Sequence, residues 1–269
     1  MLNFNEMILI SNDDGIYAPG LWTLAAELSK LDRVAVVAPD REQSATGTAI
    51  TMRQPLRVQK VNSLLPDVDA YSVEGTPGDS VILAANKFFK DRISLVISGI
   101  NSGFNLGDDI LISGTVSAAL QGYLRNIPAI AVSLSHTDSK NLTSIAFLVK
   151  LLAENIISKF MHGQMFLNIN YPEKRLEQIQ GIITTFQAHK THIDSIKECN
   201  DGRRDYYWLI RDQTVNHAPE GSDIWAIENG FISITPLHCT MFQHSQFEAD
   251  DVLYSELFNH LKHRIDYNV

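Results

Sequence analysis

The stretch "ILISNDDGIYAPG", residues 8–20, decides the fold. An apolar run without polar alternation ends in Asn12, Asp13, Asp14 and Gly15, and Pro19 follows where the first turn of a helix would accept it. Leu21, Leu24, Ala25 and Leu28 then recur at helical spacing. The segment reads as a buried strand over 7–11, a turn, and a helix over 19–31. The turn taken alone needs no further account, since Asn, Asp and Gly are turn formers and Asp caps helices. The adjacent carboxylates do need one. Two such charges about 4 Å apart repel by roughly 1 kcal/mol in water and about 4 kcal/mol at an effective dielectric of 20. A proton or a cation relieves that repulsion.

The same strand–helix alternation continues outward. "VAVVAP" (34–39), a short run at 70–73, "SLVISG" (94–99), "AIAVSL" (129–134) and "MFLNIN" (165–170) read as strands. Between them, helices are expected over 79–90 and 114–125, the latter with Val116, Ala119, Leu120 and Tyr123 on one face. Asn141 should open a long helix carrying Leu142, Ile145, Ala146, Val149, Leu152 and Ile156. This order predicts an α/β fold with a doubly wound, mostly parallel sheet. The later runs "GIITTF" (181–186), "YYWLI" (206–210) and "GFISITPL" (230–237) lack intervening helices, which predicts an antiparallel β extension. A terminal amphipathic helix over 245–265, with Val252, Tyr254, Leu257, Phe258 and Leu261, closes the chain. No repeat or linker separates the parts. We expect one domain over 1–269, with its core at 7–180 and an extension at 181–269.

Composition narrows the function. The 269 residues are 45% hydrophobic and 20% charged, as in a globular domain, with a formal net charge of −9. Acidity argues against long nucleic acid as a partner. No apolar run approaches the roughly 18 residues of a membrane span, and no basic stretch with an apolar block opens the chain as a secretory signal would. Met7 serves as well as Met1 for a start. Cys199 and Cys239 have no metal-binding spacing, so a cytoplasmic protein with two ordinary thiols is expected.

In open parallel sheets, ligands bind past the carboxyl ends of the strands. There the sequence puts Ser11, Asn12, Asp13, Asp14 and Gly15, then Asp40 to Ser44, then Ser98, Asn101, Ser102 and Asn105, then Ser133, Ser135 and His136. Oxygen donors dominate, which favours Mg²⁺, Mn²⁺ or Ca²⁺ over zinc. Asp13 and Asp14 with neutral oxygens such as Ser44 and Asn101 would leave a divalent cation with charge to spare for an anionic substrate. Ser113, Gly114 and Thr115 directly precede a helix, where free amides and the helix dipole make an anion site, or a simple cap. Asp108 and Asp109 are expected to face solvent or orient amides. The "EGTPGDS" loop (74–80) reads as a turn with Asp79 as its cap, or as a second nucleotide-facing loop. Of the histidines only His136 lies near a strand tip. Arg203 and Arg204 read as an exposed basic pair.

Together, "ILISNDDGIYAPG", "VVAPDREQSATG", "GTPGDSV", "LVISGINSGFNLGDDILISGTVSAA" and "GFISITPLH" resemble the SurE family of survival-protein nucleotidases, in order from about residue 7 to beyond 240. The resemblance implies a Rossmann-like domain whose C-terminal part exchanges between subunits of a homodimer, or of a homotetramer in some members. It implies metal-dependent hydrolysis of nucleoside 5'- and 3'-monophosphates, and in some members of short polyphosphate. The implied cofactor is one Mg²⁺ or Mn²⁺ per subunit on Asp13, Asp14, Ser44 and Asn101. Asp13, Asp14 and Asn101 would carry the chemistry, and Asn12, Ser113, Gly114 and Thr115 would bind the phosphate. Two positions depart from the family pattern: Tyr17 stands where His is frequent, and "GSD" at 221–223 stands for "GTD". Rival chemistries lack their signatures. The "NDDG" turn lacks Asp-x-Asp spacing, no phosphoacceptor Asp follows the third core strand, and no G-x-G-x-x-G follows the first. A nucleotide-binding module without turnover remains the alternative outside enzymology.

Overall fold

A computed structural model of the chain describes residues 6–135, 139–158, 164–189, 193–212 and 218–239. Met1–Leu237 form one compact unit. The second, His238–Val269, lies outside the described residues apart from His238 and Cys239, and with it the expected terminal helix.

The frame is a nine-stranded sheet in the order β3-β4-β2-β1-β5-β6-β7-β11-β8. Its strands are β1 (Met7–Ser11), β2 (Val34–Pro39), β3 (Val58–Lys60), β4 (Asp69–Val73), β5 (Ile93–Ser102), β6 (Ala129–Leu134), β7 (Phe166–Tyr171), β8 (Gly181–Thr184) and β11 (Phe231–Pro236). The central strands β4, β2, β1, β5, β6 and β7 are mutually parallel, and β1, β2, β6 and β7 are buried along their whole length. That is why they read as continuous apolar runs. Burial on both faces also explains the two cores. Ile8, Ile10, Ile97, Ile130 and Val132 pack under α1 (Pro19–Leu28) and α4 (Ser139–Ile157). Leu9, Val96, Ala129 and Ala131 pack under α2 (Pro77–Leu83) and α3 (Gly114–Tyr123).

The extension joins the same sheet. β11 runs antiparallel to β7, as expected, but β8 pairs parallel to β11. Between β8 and β11 the chain makes an antiparallel hairpin, β9 (Ile193–Asn200) with β10 (Asp205–Asp212), and α5 (Asp223–Glu228). The order of α1 to α4 is as read, with shifted ends, whereas α5 stands before β11 where no helix was expected. α1 stops at Leu28, α4 begins at Ser139 rather than at an Asn141 cap, and Thr76 rather than Asp79 caps α2, Asp79 closing a capping box. The sequence pattern passed over β3, β9 and α5.

Chain order reverses at β1, whose neighbours are β2 on one side and β5 on the other. The crevice of an open α/β sheet forms at such a point, and both acidic residues lie there. Helix α1 comes close to this crevice. A Cβ on Gly20 would stand 2.2 Å from the carbonyl oxygen of Ile100, next to Asn101. Gly20→Ala should therefore force the helix off β5 and cost about 1–3 kcal/mol. A fall in melting temperature of about 2–4 °C per kcal/mol is expected by calorimetry; an unchanged melting point would refute the close approach.

Candidate active site

Four segments meet at the switch point. The first is the turn after β1. Asn12, fully buried, donates its Nδ2–H to the carbonyl of Gly15 at 3.1 Å and so holds the turn. The second is the loop after β2. Gln43 N–H donates to the carbonyl of Asp13 at 2.7 Å, and Ile16 N–H donates to that of Pro39 at 2.8 Å. The third is the end of β5, where pairing with β6 shifts register between Ser98 and Asn101. The fourth is the amino end of α3, joined to the second loop by Gly47 N–H donating to the carbonyl of Ile112 at 2.9 Å.

Asp13 is 4% exposed and sits against α3. Thr115 donates a hydrogen bond from Oγ1 to Asp13 Oδ1, and the Thr115 backbone N–H supports the same carboxylate. A Cβ on Gly114 would come within 2.8 Å of Asp13 Cβ, so only glycine allows this approach. Ser113 caps the helix, its Oγ accepting from Val116 N–H at 3.1 Å. The cap and the anion site are thus both real, and the anion in this structure is the carboxylate of Asp13. The N–H of Gly114 is engaged by neither.

Asp14 is less enclosed and accepts the backbone N–H of Ser102. Burial, then the charge of Asp13, push its carboxyl up to about 6, against which the Ser102 amide pulls down. Asp13 is also raised, chiefly by burial, with the Thr115 hydroxyl opposing. Glu42 adds negative charge to both; it stands two residues before Ser44 in the strand-tip segment 40–44 and had no role from sequence alone. Among the described residues no Lys, Arg or His forms an ion pair with Asp13 or Asp14. The site is therefore an excess of negative charge held by amides and one hydroxyl.

The donor set fits a hard divalent cation. Ser44 is exposed and spends its hydroxyl hydrogen on Glu42 Oε1 at 2.9 Å, leaving the oxygen lone pairs to accept. Asn101, 9% exposed, donates from Nδ2 to the carbonyl of Gly103 at 2.9 Å, which fixes Oδ1 as the other end of the amide. Among the described residues no group of three or more His, Cys, Asp or Glu side chains is placed to hold a metal. Two carboxylates with neutral oxygens remain, the pattern of oxygen-loving cations.

Other sequence candidates have different places. Asn105 is buried in a polar knot: its N–H and carbonyl bond to Asn170, its carbonyl also accepts from Asn168, and its Nδ2 donates to Ser133 Oγ at 2.7 Å. Asp79 is buried and accepts from Thr51 and Thr76 N–H, so the 74–80 loop is structural. Tyr17 is 66% exposed. Arg203 and Arg204 are exposed at the hairpin turn, their amides donating to Asp201. His136, His192 and His217 lie outside the described residues. Among those described, no helix is long and apolar enough to cross a membrane.

Fold and site define a class: a Rossmann-like α/β protein with an acidic, oxygen-lined crevice at the topological switch. The comparisons are specific. The model of "Survival protein SurE" matches residues 8–194. A protein of Dehalococcoides mccartyi (strain CBDB1) called 5'-nucleotidase SurE is 53% identical over 246 residues, covering 91% of this chain and 93% of its own. Its namesake in Legionella pneumophila (strain Lens) is 40% identical over 251 residues, 93% of this chain and 98% of its own. The crystal structure of the SurE protein from Aquifex aeolicus superposes with a TM-score of 0.76 at 34% identity, over 92% of this chain and 99% of that one. The chain belongs to the SurE family.

The raised carboxyl of Asp14 has a sign that can be checked. A group shifted from 3.8 to about 6 on folding stabilises the protein when protonated, and that contribution is lost as pH rises through 6. In EDTA at pH 7, Asp14→Asn should melt above the wild type. With its exposure discounted to about 1 kcal/mol, the gain is about 2–4 °C, fading towards pH 4. A variant that melts lower at pH 7 would show that the pair is not under electrostatic strain.

Proposed function

We infer that the chain is a divalent-metal-dependent phosphomonoesterase that hydrolyses nucleoside 5'-monophosphates to nucleoside and phosphate. The observation that carries this reading is the crowding of Asp14 against Asp13, which sits on the amino end of α3, with no cationic side chain paired to either among the described residues. The family membership and the name 5'-nucleotidase carried by relatives at 40–53% identity support it. By the family resemblance the reading extends to nucleoside 3'-monophosphates and short polyphosphate.

Asp13, Asp14, Ser44 and Asn101 would hold one Mg²⁺ or Mn²⁺. When bound, the ion supplies Lewis-acid stabilisation of the charge on the phosphoryl group. Thr115 fixes Asp13 through Oδ1, which suits Asp13 to hold the ion in place rather than to take a proton. Asp14 has one amide donor and partial exposure, which suits it to take the proton of the attacking water. Ser113, Gly114 and Thr115 present the positive end of α3 to the phosphate, with the Gly114 N–H as the donor left for it. Asn12 keeps the turn in register. Asn101, on the rim of β5, would hold the ion and reach the substrate. The reading puts the enzyme in the cytoplasm, where two free thiols are ordinary.

The hairpin bears on assembly. Ile196, Tyr207, Trp208 and Leu209 are each at least 60% exposed on β9 and β10. Such an apolar ribbon is costly to leave in water and fits a homodimer or homotetramer contact.

Two measurements test these readings. Phosphate release from AMP with Mn²⁺ should vanish in EDTA, and Asp13→Asn or Asp14→Asn should lower kcat at least about 10²-fold while the protein stays folded. Undiminished turnover in either variant at saturating metal would overturn the assignment. Light scattering should give a mass of at least two chains, and Trp208→Ser with Leu209→Ser should reduce it; a monomeric wild type at tens of micromolar would remove the hairpin from assembly.

A further inference from the structure

The loop that delivers α3 to the site is fixed from a distant part of the chain. Gly107 opens a short 3-10 turn over Gly107–Leu111. Its N–H donates to Asp223 Oδ2 at 2.8 Å, and its carbonyl accepts from Gln187 Nε2 at 3.0 Å. The other oxygen of Asp223 accepts the N–H of Ala188 at 2.9 Å and of Ile224 at 2.8 Å. Asp223 is fully buried. Among the described residues it has no cationic partner.

A buried carboxylate without a counter-charge is expensive and needs a reason. Here the reason is donor geometry. Three N–H groups arrive on two oxygens, and only a carboxylate accepts on both. An asparagine would turn an NH₂ towards either Gly107 or Ala188 and repel it. From Gly107 the chain is hydrogen-bonded on to the site. Asp109 N–H donates to the Leu106 carbonyl and Ile112 N–H to the Asp109 carbonyl, each at 3.2 Å. The Ile112 carbonyl takes Gly47 N–H at 2.9 Å, and Ser113 then caps α3, whose Thr115 holds Asp13.

We propose that Asp223, with Gln187, is a positioning residue for phosphoryl transfer: the pair clamps Gly107 on both its polar groups and so fixes where α3 holds Asp13. The proposal rests on the nucleotidase reading. Nothing near the strand tips betrays it, since Asp223 follows Gly107 by 116 residues.

The test compares wild type, Asp223→Asn and Gln187→Ala with AMP and Mn²⁺, alongside melting curves, gel filtration and hydrogen–deuterium exchange of the 105–115 peptide. The expected result is a folded Asp223→Asn with kcat down about 10–100-fold, the scale of a 1 Å misplacement, and KM changed much less. Gln187→Ala should lose kcat by several-fold, and the 105–115 peptide should exchange faster in both. A folded variant with wild-type kcat, or one that loses only melting temperature, overturns the proposal. Should Asp223→Asn fail to fold, Gln187→Ala decides, because it deletes one bond from a half-buried side chain. Should wild type release no phosphate from any nucleoside monophosphate, the nucleotidase reading falls, and the clamp is judged by exchange alone: unchanged protection of 105–115 in both variants overturns it.

Discussion

The contact on which the rest depends is that between Asp13 and the amino end of α3. A carboxylate buried at the top of a sheet would be protonated or expelled without donors. Thr115 supplies two of them, and the helix dipole adds a favourable field. The contact needs Gly114, because any Cβ would collide with the carboxylate. It also needs α3 to start at one place, which Ser113 enforces as a cap. Asp14 has no comparable support, and the difference gives two adjacent aspartates different work. One is a fixed point of the architecture. The other is less enclosed, with its carboxyl lifted to about 6, while burial raises Asp13 as well.

Two adjacent carboxylates, one buried and one half-buried, are destabilising, and the surrounding fold offsets them. The strands on either side of the crevice are apolar along their length, with Ile8, Leu9, Ile10, Val36, Val37, Val96 and Ile97 fully buried. They form a rigid floor that tolerates a poor local arrangement above it. This is the usual relation between stability and function: the residues that work are not the ones that hold the fold.

Much of this was legible in the sequence. Strands buried on both faces have a signature that survives without tertiary knowledge, and β1, β2, β6 and β7 were read nearly to the residue. The strand tips followed, and with them the places of Asp13, Asp14, Ser44 and Asn101 in the fold, while 113–115 was read as the start of a helix, where α3 begins. What failed to show had no local pattern. β3 is fully exposed and short, and β9 carries mostly polar or charged residues. The parallel pairing of β8 with β11 depends on a route through the hairpin and α5 that periodicity does not describe. Asn105 looked like one more strand-tip oxygen, yet it is spent on Asn168, Asn170 and Ser133, up to 65 residues away.

Those missed pairings share a direction. The 103–113 segment lies over the sheet between the site and the later strands, and its supports come from both sides. Gly47 reaches Ile112 from the loop after β2. Asn168 and Asn170 reach Asn105 from β7, while Gln187 and Asp223 reach Gly107 from beyond β8. A Rossmann-like half alone would hold that segment through Gly47, Asn168 and Asn170 but leave Gly107 without Asp223 and Gln187, with α3 free to move by the small distances that matter for phosphoryl transfer. The extension after β7 is therefore not an accessory to the crevice. By placing β11 against β7 and α5 at its edge, it closes the far wall from which the loop is held, and so makes the position of Asp13 a property of the whole sheet.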